Sequence, residues 1–148
     1  MMSESGVAAL DHTVQETNIW LKAIAEELHF DDRHQAYSAL RAVLHALRDR
    51  LPPEIAVHLG AQLPILVRGI YYEGWHMAGT PTKERSAQEF ADHVLHELPP
   101  RFPMDSLTVA RGVFEILWEK LDPGEFGKVR DHLPVALKTL RSQVAQRV

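Results

Sequence analysis

The chain has 148 residues, 45% of them hydrophobic and 24% charged, a balance that excludes disordered and membrane-embedded classes and suits one globular domain. A formal net charge of -4 and a pI near 6.1 leave no excess of positive charge to neutralise phosphates, so a nucleic acid is not an expected partner. Cysteine is absent, which removes disulfides, thiol nucleophiles and thiolate metal sites and fits a reducing compartment.

Residues 1–10 carry Glu4, no basic region and an apolar stretch, Val7 to Leu10, too short for a signal peptide or a membrane span. They are expected to fray, and a cytoplasmic location is the simplest expectation. A first helix is predicted from about Thr13 to Leu28, because Thr17, Trp20, Leu21, Ile24 and Leu28 fall on one face at helical spacing. Asp31 and Asp32 offer N-caps for a second helix, in which Tyr37, Leu40, Leu44, Leu47 and Leu51 follow at steps of three and four. Each such Leu, fully buried, contributes about 1.5–3 kcal/mol, so this helix and its later counterpart are expected at the centre. Pro53 opens a short third helix, in whose first turn a missing amide hydrogen costs nothing. Pro64 cannot continue that helix and is read as opening a fourth at an angle, ending near Tyr72. Residues 73–85 contain Gly74, Gly79 and Pro81 but also Trp75 and Met77, the composition of an ordered crossing segment more than of a loose linker.

From Ser86 the pattern begins again. Residues seventy positions apart match without a gap: Glu27 with Glu97, Leu28 with Leu98, Arg41 with Arg111, Leu47 with Leu117, Leu51 with Leu121, Pro53 with Pro123, Leu63 with Leu133 and Pro64 with Pro134. The matches fall on apolar stripes and prolines, the positions that fix a helical fold, so they are read as an internal duplication. Ser86-Ala87-Gln88-Glu89 is a capping box leading to Phe90, Val94 and Leu98. Leu107, Ala110, Phe114, Leu117 and Leu121 repeat the central stripe, Asp122 is placed to cap the helix opened by Pro123, and Pro134 opens a last helix toward Val144. No strand-like alternation or Asn-Gly hairpin signal occurs. The expected architecture is therefore all-α: a compact bundle of about eight helices. Two tandem four-helix repeats, 13–72 and 83–142, would be related by approximate two-fold pseudo-symmetry within one domain spanning 11–146.

The run from Leu40 to Pro52, followed by Leu59 to Pro64 and by Val67-Arg68-Gly69-Ile70-Tyr71-Tyr72-Glu73-Gly74-Trp75, resembles the bacterial family called domain of unknown function 2267. The likeness extends from about Asp11 to Leu140. It implies a prokaryotic, helical, mostly stand-alone protein, and it implies no activity and no assigned active site. The second copy has Thr139-Leu140-Arg141-Ser142 where the first has its aromatic signature, so a role for that signature belongs to the first copy.

Three constellations carry chemistry. His93 and His96, three apart on one helix with Glu89 and Glu97 nearby, have a spacing that can supply metal ligands from one face, against which stands the commoner reading of two surface histidines. His34, Arg41, His45 and Arg48 are spaced to project from one flank of the second helix, where arginine forks suit carboxylates and phosphates. The second copy keeps only the arginine, with Met104, Arg111, Glu115 and Trp118. Retention of Glu27 with Arg41 and of Glu97 with Arg111 favours an ion pair inside each copy. Tyr71, Tyr72 and Trp75, beside Arg68, either form a binding hot spot or seal the joint between copies. No nucleophile elbow, His-Glu-x-x-His run or nucleotide-binding glycine spacing is present.

The expectation is a non-enzymatic helical interaction or regulatory module that binds another protein or its own copy through Arg41, His45, Arg48, Arg68, Tyr72 and Trp75, with no cofactor and no membrane contact. The alternative is a small-ligand or metal-binding protein, with hydrolytic activity, using the groove between the repeats. A deep, closed cleft favours the alternative, and a flat or convex surface around Tyr72 and Arg48 favours the first.

Overall fold

The computed structural model describes residues 4–141. Those residues form eight α-helices and no strand: α1 Ala8–Leu28, α2 Arg33–Arg50, α3 Pro53–Gln62, α4 Ile65–Tyr72, α5 Ala87–Glu97, α6 Ser106–Lys120, α7 Pro123–Arg130 and α8 Val135–Lys138.

Local chemistry sets most of these limits. Asp32 accepts a bond from the His34 backbone N–H to start α2, Asp105 does the same for α6 through Thr108, and Asp122 for α7 through Glu125. At α5 the capping box is complete, Ser86 and Glu89 each accepting from the other's backbone. α1 begins at Ala8, five residues before the sequence expectation. Its start is organised by Ser5, whose N–H and hydroxyl both donate to the Asp11 carboxylate. His29 ends α1 in the left-handed conformation, φ 58. The last expected helix is shorter than its sequence pattern: α8 stops at Lys138, Leu140 is buried beyond it, and the rest of the predicted run toward Val144 lies outside the described residues.

The four long helices make the centre. α1 packs against α2 and α6, α5 packs against the same two, and α2 touches α6 across the diagonal. The short helices close the periphery, with α3 against α7, α4 against α1, α2 and α3, and α8 against α5. All of them contribute to one continuous apolar core, in which Leu47 and Leu117 are both fully buried. Because α2 is enclosed by several neighbours, its buried surface is wider than a stripe. Ala36, Ala39, Ala42 and Ala46 are buried along with Leu40, Leu44 and Leu47, and their small side chains admit close approach of other helices. Tyr37, expected in the stripe, is exposed instead, and Ala36 takes the inward position.

A close approach falls at Gly112 on α6, where a Cβ would overlap the Leu28 side chain at the end of α1. Gly112→Ala is therefore expected to destabilise the fold by about 1–3 kcal/mol, even though alanine is favoured over glycine in a helix by about 1 kcal/mol. Urea unfolding followed by circular dichroism measures the balance, and a gain in stability would show that Leu28 yields freely.

Candidate functional site

The basic flank expected on α2 does not lie on the surface. His34 at the helix start is exposed and Arg41 is partly so, but His45 and Arg48 are only 2% and 3% exposed. The reason is α4, which crosses the C-terminal half of α2 and covers it. A helix ends with unmatched backbone carbonyls, and those of α4 point into this covered region. Arg48 donates from one guanidinium nitrogen to the Tyr71 carbonyl and to the Glu73 carbonyl, both at 2.9 Å, and from Nε to Asp49. His45 Nε2 lies 2.7 Å from the Ile70 carbonyl oxygen, which makes it the donor. Burial, with help from the charges of Arg48 and Arg41, holds the His45 pKa below the ordinary histidine value against the pull of Ile70 and Glu97. Glu97 on α5 is 3.4 Å from the other ring nitrogen, an ion pair only when the ring is protonated.

Arg68 plays the same part for α3. It donates to the carbonyls of Gly60 at 2.8 Å and Leu63 at 2.9 Å, closing the C-terminus of that helix. Tyr71 is buried and donates to the Ala56 carbonyl on α3, and burial raises its pKa so that it stays a neutral phenol. The Tyr72 ring lies over Gly60, whose missing side chain leaves room for it, and stacks on Trp75 at 5.5 Å between ring centroids. Gly74, at φ +71, turns the chain sharply enough to bring Trp75 back onto that ring. The aromatic signature thus joins α3, α4 and the start of the crossing segment.

The expected ion pair between Glu27 and Arg41 is replaced by another. Arg41 reaches Glu73 at 3.1 Å, Glu97 faces His45, and Arg111 donates to the Arg141 carbonyl. α4 and the segment after it bring Glu73 to Arg41, a neighbour that helix spacing does not reveal.

His93 and His96 part company as well. His96 is exposed on α5, whereas His93 is turned toward the joint between α2 and the crossing segment, where its Nδ1 is 2.6 Å from Glu84 and its Nε2 is 3.6 Å from Asp49. Asp49 and, against the cost of burial, Glu84 raise the His93 pKa to about 9. Opposite ring nitrogens face the two carboxylates, an arrangement that favours the protonated ring. Among the described residues no group of three or more His, Asp or Glu side chains is arranged to hold a metal ion.

Sequence reasoning missed this trio, because Asp49, Glu84 and His93 come from three separate segments. It also missed a cluster on α6. Trp118 is flanked by Arg130 and Arg141, with guanidinium carbons 5.1 Å and 5.7 Å from its ring centre, and Arg141 forms a two-pronged pair with Glu115.

Two further surface features bear on binding. An open depression of about 470 Å³ at the end of α1 is lined by Lys22, Glu26, His29, Phe30, Asp31 and Arg33; it is neither deep nor closed. On the other end of α1, Val7, Leu10 and Val14 are about half exposed, beside Ile65 and Leu66 of α4, which are also exposed. The Leu66 N–H donates to Thr13 Oγ1 at 3.0 Å, which fixes the first turn of α4 against α1.

A family described as an uncharacterized conserved protein, DUF2267, matches residues 17–140, and the chain belongs to that family. No curated protein matches the chain. No helix among the described residues is long and apolar enough to cross a membrane.

Replacing Arg48 by Met keeps the apolar stem but strips the donors from two inward-facing carbonyls and a partner from Asp49. The expected loss of stability is about 3 kcal/mol, against less than about 1 kcal/mol for Arg41→Met, whose pair with Glu73 is largely solvated. Denaturant midpoints for the two variants test the assignment, and a near-neutral Arg48→Met would show that the two carbonyls do not depend on that side chain.

Proposed function

We propose that this member of the DUF2267 family is a duplicated four-helix unit serving as a non-enzymatic interaction module, and that it binds a helix of a protein partner on the flank formed by the N-terminal half of α1 and the start of α4. The observation that carries this reading is the apolar seam of α1. Val7, Leu10, Val14, Thr17, Leu21, Ile24 and Leu28 recur at alternating steps of three and four, the spacing by which helices interlock. From Thr17 to Leu28 the seam is buried in the core, and from Val7 to Val14 it continues uncovered. Ile65 and Leu66 lie next to that free end, so an incoming helix would meet a ridge and an adjoining apolar edge. Contiguous exposed apolar surface of this kind is a property of contact sites.

The duplication is supported by buried pairs at the seventy-residue offset, Val43 with Val113, Leu47 with Leu117, Leu51 with Leu121 and Leu63 with Leu133. The basic and aromatic residues first considered for the partner, Arg41, His45, Arg48, Arg68, Tyr72 and Trp75, serve this module by fixing α3, α4 and the crossing segment. The alternative of an enclosed ligand gains nothing from the open depression near His29.

A photoreactive amino acid placed at position 10 or 66 is expected to cross-link to one defined partner, and the same group at exposed Lys22 is not. The double variant Leu10→Glu, Leu66→Glu is expected to abolish the cross-linked product from a neighbouring reporter position while leaving the melting temperature unchanged. Sedimentation of the pure protein decides whether the occupant is a second copy. Equal cross-linking from positions 10, 66 and 22, or capture unaffected by the double variant, overturns the assignment of this flank.

A further inference from the structure

The segment between α4 and α5 is held to the bundle by polar contacts at its far end. The Thr82 N–H donates to the Asp49 carbonyl at 2.8 Å, and Arg50 donates to the Glu84 carbonyl at 2.6 Å. The Thr82 hydroxyl donates to the Glu84 carboxylate at 3.0 Å. The same carboxylate meets Nδ1 of His93, and the far side of that ring faces Asp49, itself bonded to Arg48. Lys83 and Arg85, on either side of Glu84, are exposed, as are residues 76–79. The clasp therefore runs from α2 through one imidazole on α5 to one carboxylate on the segment.

A neutral imidazole that donates from Nδ1 to Glu84 turns only a lone pair toward Asp49, whereas the protonated ring attracts Asp49 across 3.6 Å as a charge. We propose that residues 73–85 form a proton-held strap: the protonated ring of His93 clasps Glu84 to Asp49 at the end of α2, and loss of that proton frees the far end of the strap while the helical core stays folded. The charged groups facing the ring are Asp49 from α2, with Arg48 behind it, and Glu84 from the strap, whose carbonyl is held by Arg50. On α5 itself, Glu89 is turned to the helix start and Glu97 to His45. Among the described residues no ion pair or hydrogen bond joins His93 to α6 or α8.

The sign follows from the folded ring titrating near pH 9 instead of at the ordinary value of about 6.5. The clasp is complete below the ordinary value and is lost as pH rises through about 9. Asp49 and Glu84 behave oppositely. Burial pushes both upward, but their bonds to His93, to Arg48 for Asp49 and to Thr82 for Glu84 hold them below the usual carboxylate range. On the acid side the clasp persists until pH falls through those lowered values.

Trypsin reads the strap directly, because cleavage after Lys83 or Arg85 divides the chain near its middle. Normalised to an unstructured control peptide, cleavage there is expected to rise about tenfold or more between pH 7 and pH 10, with the helical circular dichroism unchanged. His93→Gln is expected to be cut rapidly at neutral pH and to lose the pH dependence. His93→Lys, which keeps a cation into alkaline solution, is expected to stay protected where the native chain has opened. Equal normalised cleavage at both pH values in the native chain, or a His93→Gln protein as protected as the native one, overturns the proposal. Should His93→Gln fail to fold, an NMR titration of the native His93 ring decides: a midpoint near 9 supports the clasp, and one near the ordinary histidine value removes it.

Discussion

A short helix leaves as many unmatched carbonyls at its end as a long one, and in this bundle the ends of the short helices lie against the core, where water cannot satisfy them. This constraint organises the molecule. α3 spans only Pro53–Gln62 and α4 only Ile65–Tyr72, too short to be stable alone. Each is completed by a basic side chain from elsewhere: Arg68 serves α3, and Arg48 with His45 serves α4. The positive charges also meet the negative end of each helix dipole. Charges that look like a binding surface in the sequence are thus internal fastenings, and their burial is what lets α4 lie across α2.

The two halves of the chain carry different chemistry at positions seventy apart. Where α2 offers Arg48 and His45, α6 offers Trp118 and Glu115. Where α4 offers Tyr71, the strand of chain after α8 offers Arg141. The cation and the aromatic have exchanged sides. In the first half an arginine from the long helix binds backbone carbonyls, and in the second an arginine from the peripheral segment stacks on a tryptophan and grips a carboxylate of the long helix. Both arrangements tie a peripheral segment to a central helix, and the apolar positions beneath them, such as Leu47 and Leu117, keep the same residue and the same burial.

Function, on this view, attaches to what the internal fastenings leave free. The basic side chains of the α2 flank and the two tyrosine hydroxyls of the aromatic signature are engaged within the chain, and the apolar residues at the start of α1 remain exposed. The strap is governed by a proton on one ring, His93 on α5, which is not among the residues of the α1 seam. The proposed docking face and the proposed strap therefore rest on separate groups.

The sequence determined the class of fold, because apolar spacing, capping residues and helix-opening prolines act within a few residues of one another. Asp32, Asp122 and the Ser86–Glu89 box cap the helices they were expected to cap, and Leu40, Leu44 and Leu47 are buried as their spacing demanded. Tertiary structure alone decided the fate of the charged residues. Helix spacing points Arg41 to Glu27, yet Arg41 meets Glu73; it sets His93 beside His96, yet His93 lies between Glu84 and Asp49. A long charged side chain takes its partner from whichever segments the apolar packing brings near. That information is distributed over the whole bundle, and no local spacing contains it.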